Sequence, residues 1–504
     1  MEDTSRQFLH RIRTFFEKRD EELRPFSIPL NKRSLFLLIH LYVARLFSRW
    51  SIFSPNMLYE NPDGYSPYWT LILSYLHNEK ILHSVRYVPQ LEGYPPLHKY
   101  KISSVAVTEK DTVMSFGGNE NQELSLAKGI GELLERTLTA YSSAGNPTKT
   151  LKKPAPELLK NGQDIATPYL FHRFLPQQKK QFPHLGFKME HASLWVPVRN
   201  ITKKRNAFAP AQTIFWIDSK ELGKTEGVIQ NTTTSGCAGY MTKDGAVLRA
   251  LLEAIQRDAF LVHWLTGIPP KKIALTTIDD DRIQATLAEF TRYGFEVHLL
   301  DATTEIGVPV VISILIDRLS KRPRVYLAAA CHPSYSEACA NALSEANMLF
   351  GYFDKGGETY LPEDFKPFLT PLDRMDRLQS AHGDDYISNT KWFWSGDEIA
   401  FGDMVQLHPK KNETASRVLD RIVKAMHALG EGSNVYVFTP DSTALRKLGY
   451  HVARVIVPKL MSLYLNEILA PLDSDRLFEF AQRKGKTYSP EALLKTTTPP
   501  HPFP

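Results

Sequence analysis

An alternation that begins near residue 80 restricts the fold more than any other feature. Short β-rich runs (KYKISSVAV, LWVPVRN, AFAPAQTIFWI, VPVVISILI, RVYLAAA, NVYVFT and HVARVIVP) take turns with segments of helical spacing. Such a chain belongs to the α+β class, as a mixed α/β domain with a sizeable sheet and packed helices. Its 504 residues suffice to bury a large core without disulfides or structural metal. A composition 43% apolar and 23% charged excludes a disordered, collagen-like or coiled-coil chain. The net charge of +6, from 61 basic and 55 acidic residues, is too dilute to argue for nucleic acid. Cys237, Cys331 and Cys339 form no CxxC pair, so neither a disulfide framework nor a zinc site is expected, and the cytoplasm is the natural compartment.

Residues 1–75 read as a helical, rather basic N-terminal extension, and 76–504 as the main domain with a proline-rich tail over 496–504. No signal-peptide core opens the chain. The apolar run Ser34 to Trp50 is too short to span a bilayer once His40, Arg45 and Arg49 are counted, so a buried amphipathic helix is expected and no membrane. The helix YWTLILSYLHNEKIL with the extended HSVRYVP after it fits a winged-helix module or a packing extension. Residues 360–412, rich in Asp, Pro, Gly and Trp, read as a long surface insertion. The end, TTTPPHPFP, precludes a helix and favours polyproline II; such ends are commonly loose.

Three helical segments share one layout: Lys128-Gly-Ile-Gly-Glu132-Leu-Leu-Glu135-Arg136, Arg249-Ala-Leu-Leu-Glu253-Ala-Ile-Gln256-Arg257, and Asn341-Ala-Leu-Ser-Glu345-Ala-Asn-Met348. Positions i and i+3 share a helix face, so Glu132 projects with Glu135, and Glu253 with Gln256. Their neighbours are apolar, and a carboxylate on a buried helix must be paired or bound to metal. Helices meeting through these faces make an oxygen-rich cage with adjacent guanidiniums. Hard Mg²⁺ wants oxygen ligands and arginine wants phosphate, which describes a nucleotide–magnesium site. A solvated Glu/Arg face is the better account of any single copy, and the repeat brings the two readings level. Thr232-Thr-Thr-Ser235-Gly236 before the second helix, and Ser115-Phe-Gly117-Gly118-Asn119 before the first, suit a phosphate cradle or an ordinary turn.

The stretches AKGIGELLERTLTAY (127–141), TTTSGCAGYMTKDGAVLRALLEAIQRDAF (232–260), CHPSYSEACANALSEA (331–346), GYHVARVIVPKL (449–460) and the terminal PHPFP together resemble the YcaO family. They fall in family order and cover most of the chain from about residue 80. The resemblance implies an ATP- and Mg²⁺-dependent enzyme that activates peptide backbone amides, of the azoline-forming cyclodehydratase type. It implies metal ligation by Glu132, Glu135, Glu253, Gln256 and Glu345. It implies nucleotide contacts from Lys128, Arg136, Thr232, Ser235, Gly236 and Arg257. The prolines 500, 502 and 504 match a PxPxP end whose carboxylate, on Pro504, is expected to assist proton transfer. Ser235, Gln256, Asn341 and Lys459 depart from the family's commonest residues, and Gln256 removes one negative charge from the metal set.

The ring-forming nucleophile comes from the substrate, so no Ser-His-Asp or Cys-His set is needed. Most histidines, His332 and His382 among them, are read as structural or exposed; for His501, within the tail, a contributing role stands as the minor alternative to a structural one. The implied partners are a ribosomally made precursor peptide and a separate ubiquitin-activating-like leader-binding protein, since no zinc-type CxxC pairs mark a fused one. A flavin dehydrogenase joins them where rings are oxidised, and a homodimer is compatible with the sequence. Two other readings stand beside this one: thioamide formation at the same ATP site, and a non-catalytic scaffold, which Gln256 and Asn341 favour.

Overall fold

The computed structural model describes residues 59–60, 67–89, 93–105, 112–140, 150–167, 174–216, 226–319, 324–350, 361–372, 374–404, 407, 413–496 and 498–503. Most of the 1–75 extension, including Ser34 to Trp50, lies outside them, as does Pro504. Three sheets carry the described chain. The first is four-stranded, in the order β1 (Tyr59–Glu60), β2 (Leu82–Val88), β3 (His98–Ser104), β4 (Met114–Asn119). The second is six-stranded: β5 (Leu151–Lys153), β6 (Ser193–Asn200), β14 (Tyr436–Phe438), β15 (His451–Ile456) and β8 (Cys237–Tyr240), with β7 (Arg205–Pro210) paired to β6. The third is five-stranded, in the order β12 (Arg324–Cys331), β11 (Val310–Asp317), β10 (Phe295–Asp301), β9 (Lys271–Ile273), β13 (Glu398–Ile399).

The expected α+β class is found, a mixed α/β arrangement, and the β-rich runs form strands for a simple reason. β11 is buried almost throughout, and its side chains alternate between two cores. Ile312, Ile314 and Ile316 enter one core, while Val311 and Leu315 enter the other. A strand covered on both faces reads as the nearly continuous apolar run VVISILI, broken by Ser313, whose hydroxyl donates to the Ala342 carbonyl at 2.7 Å. AFAPAQTIFWI differs from expectation: β7 stops at Pro210, which has no N–H to continue a ladder, and Ala211–Ile214 forms one helical turn.

Helix α1 (Pro67–Asn78) packs Leu73 and Leu76 into one apolar cluster with Ile130 and Leu133 of α2 (Gln122–Thr139), so it runs past residue 75 and shares a core with the domain. Helix α3 (Lys243–Thr266) is the central rod. Thr242 caps its first turn by accepting the Gly245 N–H, and Gly267 ends it at φ +70°, a left-handed turn natural to glycine. Helices α4 (Asp281–Arg292) and α5 (Tyr335–Met348) cover the other face of the five-stranded sheet. Among the described residues no helix is long and apolar enough to cross a membrane.

Two expectations are overturned. The described part of 360–412 is no surface insertion: Phe368, Leu372, Leu378, Tyr386 and Phe393 are all buried. The tail is not loose either; Pro500 to Phe503 are buried against α3. Aromatic side chains explain the docking, because Phe393 of the first segment and His501 and Phe503 of the tail all pack on Phe260 of α3.

Candidate functional site

Ser115 to Asn119 is strand β4 rather than a turn, and that strand brings the first acidic helix into place. A Cβ on Gly117 would lie 1.8 Å from the Ser125 carbonyl oxygen, so only glycine lets β4 and α2 approach this closely. The approach brings the Phe116 N–H to Glu132 Oε2 at 2.8 Å. Glu132 also pairs with Arg136 at 2.6 Å, one helical turn on. Glu135 points the other way, to β8, and accepts the Gly239 N–H at 2.6 Å.

β8 thus joins α2 to the start of α3. On α3, Glu253 pairs with Arg257 at 3.2 Å. Glu253 is near enough to Glu135 that its charge disfavours ionisation there. Burial is the larger cause, and together they lift the Glu135 carboxyl to about 8 against the pull of the Gly239 N–H. Burial raises Glu253 as well, with Arg257 and Arg454 opposing. The Glu253 charge raises the proton affinity of Glu135, so ionising Glu135 as well calls for added positive charge, which a bound cation would supply.

Arg454 escaped the sequence reading. It is 3% exposed on β15 and donates to the Thr233 carbonyl at 2.8 Å and the Thr213 carbonyl at 3.2 Å. These bonds fix the Thr232–Gly236 loop. Gly236 sits in that loop at φ +79°, where a Cβ would meet the Val455 carbonyl at 2.8 Å. A small cavity lies beside the loop, lined by Ser235, Ala254, Arg257 and Arg454. The available signal was one arginine inside an otherwise apolar strand run, HVARVIVP. Cys237 lies behind Glu135 with its thiol pushed up by burial, which suits a packing residue and not a nucleophile.

The structure brings Glu132, Glu135, Glu253, Arg136, Arg257, Thr232, Ser235 and Gly236 to one region around β8. Gln256 is half-buried on α3, one turn on from Glu253. Glu345 stands apart: its side chain is 49% exposed, and Lys128 holds it at 3.6 Å, a turn before Glu132. Asn341 is exposed on the same face of α5. Lys459 is accounted for locally by its pair with Glu479 at 2.6 Å. Among the described residues, no three carboxylates, histidines or cysteines stand ready around one metal position. The chemistry of the set still fits a nucleotide with a hard cation. The donors are oxygens, and Arg136 and Arg257 each keep a buried Nε with no protein partner among the described residues.

A cleft of carboxylates and guanidiniums on this fold belongs to the class that takes a polyphosphate together with magnesium. Residues 116–461 match the family described as YcaO cyclodehydratase, ATP- and Mg²⁺-binding, and the chain belongs to that family. ATP and Mg²⁺ are its cofactors. An uncharacterized protein of Methanothermobacter thermautotrophicus is 26% identical over 275 residues, 53% of this chain and 65% of that one. An uncharacterized protein from the tfuA 3′ region of Rhizobium leguminosarum bv. trifolii is 31% identical over 245 residues, 45% of this chain and 52% of that one. The chain thus matches between half and two-thirds of the length of these curated relatives.

Among solved structures, a heterocyclase in complex with substrate and cofactor matches with a TM-score of 0.64 at 16% identity, over 83% of this chain and 54% of that one. YcaO from Methanopyrus kandleri, bound with AMPPCP and Mg²⁺, gives 0.55 at 14% identity, over 76% and 87%. The E. coli microcin synthetase McbBCD complex gives 0.51 at 14% identity, over 86% and 99%. At these identities the likeness is one of fold.

Proposed function

We propose that the chain activates peptide backbone amides by O-phosphorylation and cyclodehydrates Cys, Ser or Thr residues to thiazolines or oxazolines in a ribosomally made precursor. One observation carries the ring-forming reading: the proline-rich end runs back to the acidic helix. The Phe503 ring lies 4.5 Å from the guanidinium carbon of Arg257, the same arginine that holds Glu253.

In the substrate, a thiol or hydroxyl adds to the preceding amide carbon. The resulting oxyanion reverts unless it is made a leaving group. Bound MgATP supplies the γ-phosphoryl group, so that oxygen departs as phosphate with ADP left behind, while the ring nitrogen gives up its proton and the C=N bond closes. The chain's own work is alignment and charge neutralisation. Glu132, Glu135, Glu253 and Gln256, with Glu345 swinging from Lys128, are assigned to the metal. Arg136, Arg257 and Lys128 are assigned to the phosphates, with the Thr232, Ser235 and Gly236 loop beneath them. Pro500 and Pro502 guide the tail, and the Pro504 carboxylate is assigned as the base.

The fold likeness to a substrate-bound heterocyclase and to a synthetase complex supports a peptide substrate and partner proteins; a separate leader-binding partner of the ubiquitin-activating type is part of the proposal. The non-catalytic reading is favoured by Gln256 and by the 3.6 Å hold of Lys128 on Glu345. The deciding experiment incubates chain, partner and a Cys/Ser/Thr-rich precursor with MgATP, and follows phosphate release and peptide mass. Loss of one water per ring with matching phosphate supports cyclodehydration. Exchange of oxygen for sulfur moves the assignment to thioamide formation, and no ATP turnover moves it to a scaffold.

A further inference from the structure

A segment that reads Pro-Pro-His-Pro-Phe offers few backbone N–H groups, because proline has none. Whatever anchors it must therefore donate, and two donors meet it. The Tyr386 hydroxyl donates to the Pro500 carbonyl at 2.9 Å. The Arg377 guanidinium donates to the His501 carbonyl at 2.9 Å and to the His501 ring, with Nε2 at 3.1 Å. Arg377 is fully buried, so it has given up its hydration. Among the described residues, every hydrogen-bond partner of its guanidinium is an atom of His501; its Nε and second Nη have none. Buried Glu467 balances its charge, but the hydrogen bonds of its guanidinium among the described residues all go to the tail.

From His501 the chain runs two residues to Phe503. Glu253, Arg257, Phe260 and Trp264 form one stripe on α3, four, three and four residues apart. His501 meets Phe260 edge-on at 5.3 Å, and Phe503 lies on the same ring at 4.7 Å. Phe503 also sits 4.5 Å from the Arg257 guanidinium carbon. A ring face at that distance attracts the cation and limits its rotation.

We infer that Arg377 is the positioning residue of the C-terminal segment: by gripping His501 it seats Phe503 against Arg257 and so sets where that arginine meets an anionic ligand. The effect on the ligand rests on the nucleotide reading above; the grip on the tail does not. The test uses the full chain in two arms. Titration with Mg²⁺ and AMPPCP measures binding for wild type, R377Q, F503A and the double variant. Carboxypeptidase Y followed by mass spectrometry measures release of the tail.

R377Q and F503A are each expected to weaken binding about tenfold, the size of one lost cation–π contact. The double variant falls no further, because both changes act through one contact. R377K recovers part of the loss, and tail release is fast in R377Q and slow in wild type. Additive losses, or tail release equally fast in wild type and R377Q, overturn the inference. If R377Q does not fold, Y386F removes a single hydroxyl and keeps its ring. It is expected to speed tail release about threefold, the effect of one neutral hydrogen bond, and no change overturns the grip. A wild-type chain that binds no Mg²⁺–AMPPCP overturns the nucleotide reading, and with it the role of Arg257, while the carboxypeptidase arm still decides the role of Arg377.

Discussion

At the residue scale, the two half-buried glutamates Glu135 and Glu253 set function against stability. Glu135 ionises at about 8 in the folded chain, against 4.5 ordinarily, with burial as the first cause. The folded chain therefore keeps a proton that the unfolded chain loses near 4.5. The stabilisation is complete below that value and is lost as pH rises through about 8. The melting midpoint of the metal-free protein should thus fall as pH is raised across that interval, and E135Q should flatten the fall. Mg²⁺ with AMPPCP should raise the midpoint most at the alkaline end, because metal and proton compete for the same oxygens. Glu253 follows the same logic. E253Q should lose about a hundredfold or more in phosphate release from ATP, yet its thermal midpoint should hold, since glutamine keeps the shape and an oxygen to accept the Arg257 N–H. A melting curve measured beside the turnover assay checks both halves.

At the element scale, α2 and β4 work as one unit because Gly117 and Gly129 let them touch. G117A should drive them apart, costing about 1–3 kcal/mol by overpacking, and should weaken nucleotide binding by withdrawing the Phe116 N–H from Glu132. Denaturant titration and Mg²⁺–AMPPCP binding report the two effects. The tail is the other functional element, and its weak point is His501. Burial first, then the neighbouring cation Arg377, hold the imidazole well below its ordinary range, with Arg257 adding to the effect. Tyr464 and Glu467 pack close by, and Glu467 is itself raised to about 7 by burial. A depressed histidine stabilises above its ordinary value near 6.5 and loses that contribution as pH falls. Carboxypeptidase should therefore release the tail faster at pH 5.5 than at pH 7.5, about one unit either side of the ordinary value, and H501N should weaken that dependence.

These elements also show what the sequence could disclose. The strands of the three sheets were legible because alternation and nearly continuous apolar runs follow directly from burial on one face or two. Glu132, Glu135, Glu253 and Arg257 were legible because their spacing repeats. Arg377 and Tyr386 were not, since their role depends on the tail returning more than a hundred residues later to lie on them. Nor was Gly117 as a strand residue, because a Gly-Gly pair carries a turn signal unless the helix it contacts is known. Glu345 is the reverse case: the repeat groups it with the set, while α5 places its side chain at the surface against Lys128.

At the scale of the whole molecule, the rotation of α3 about its own axis decides whether Glu253 and Arg257 face the cleft, and a buried ion network fixes it. Asp258, fully buried beside Arg257 in sequence, pairs with Arg476 at 2.7 Å and accepts the Met461 N–H at 3.0 Å. Arg476 also holds Glu305, after the five-stranded sheet's β10. The helix Asp475–Arg483, the loop after β10 and the loop at Met461 thereby grip α3 at one point. Arg476 is 1% exposed, so deleting its charge leaves Asp258 buried and uncompensated. R476M should destabilise the fold by about 3–5 kcal/mol, whereas D258L with R476M, which removes both charges, should recover most of that loss. The network's worth to function then separates from its worth to stability. If α3 is held in rotation by these ions, the double variant should remain folded but bind Mg²⁺–AMPPCP less tightly than wild type, because apolar contacts fill the space without fixing an angle. Equal binding by the folded double variant would mean that packing against the sheets alone sets the orientation of α3.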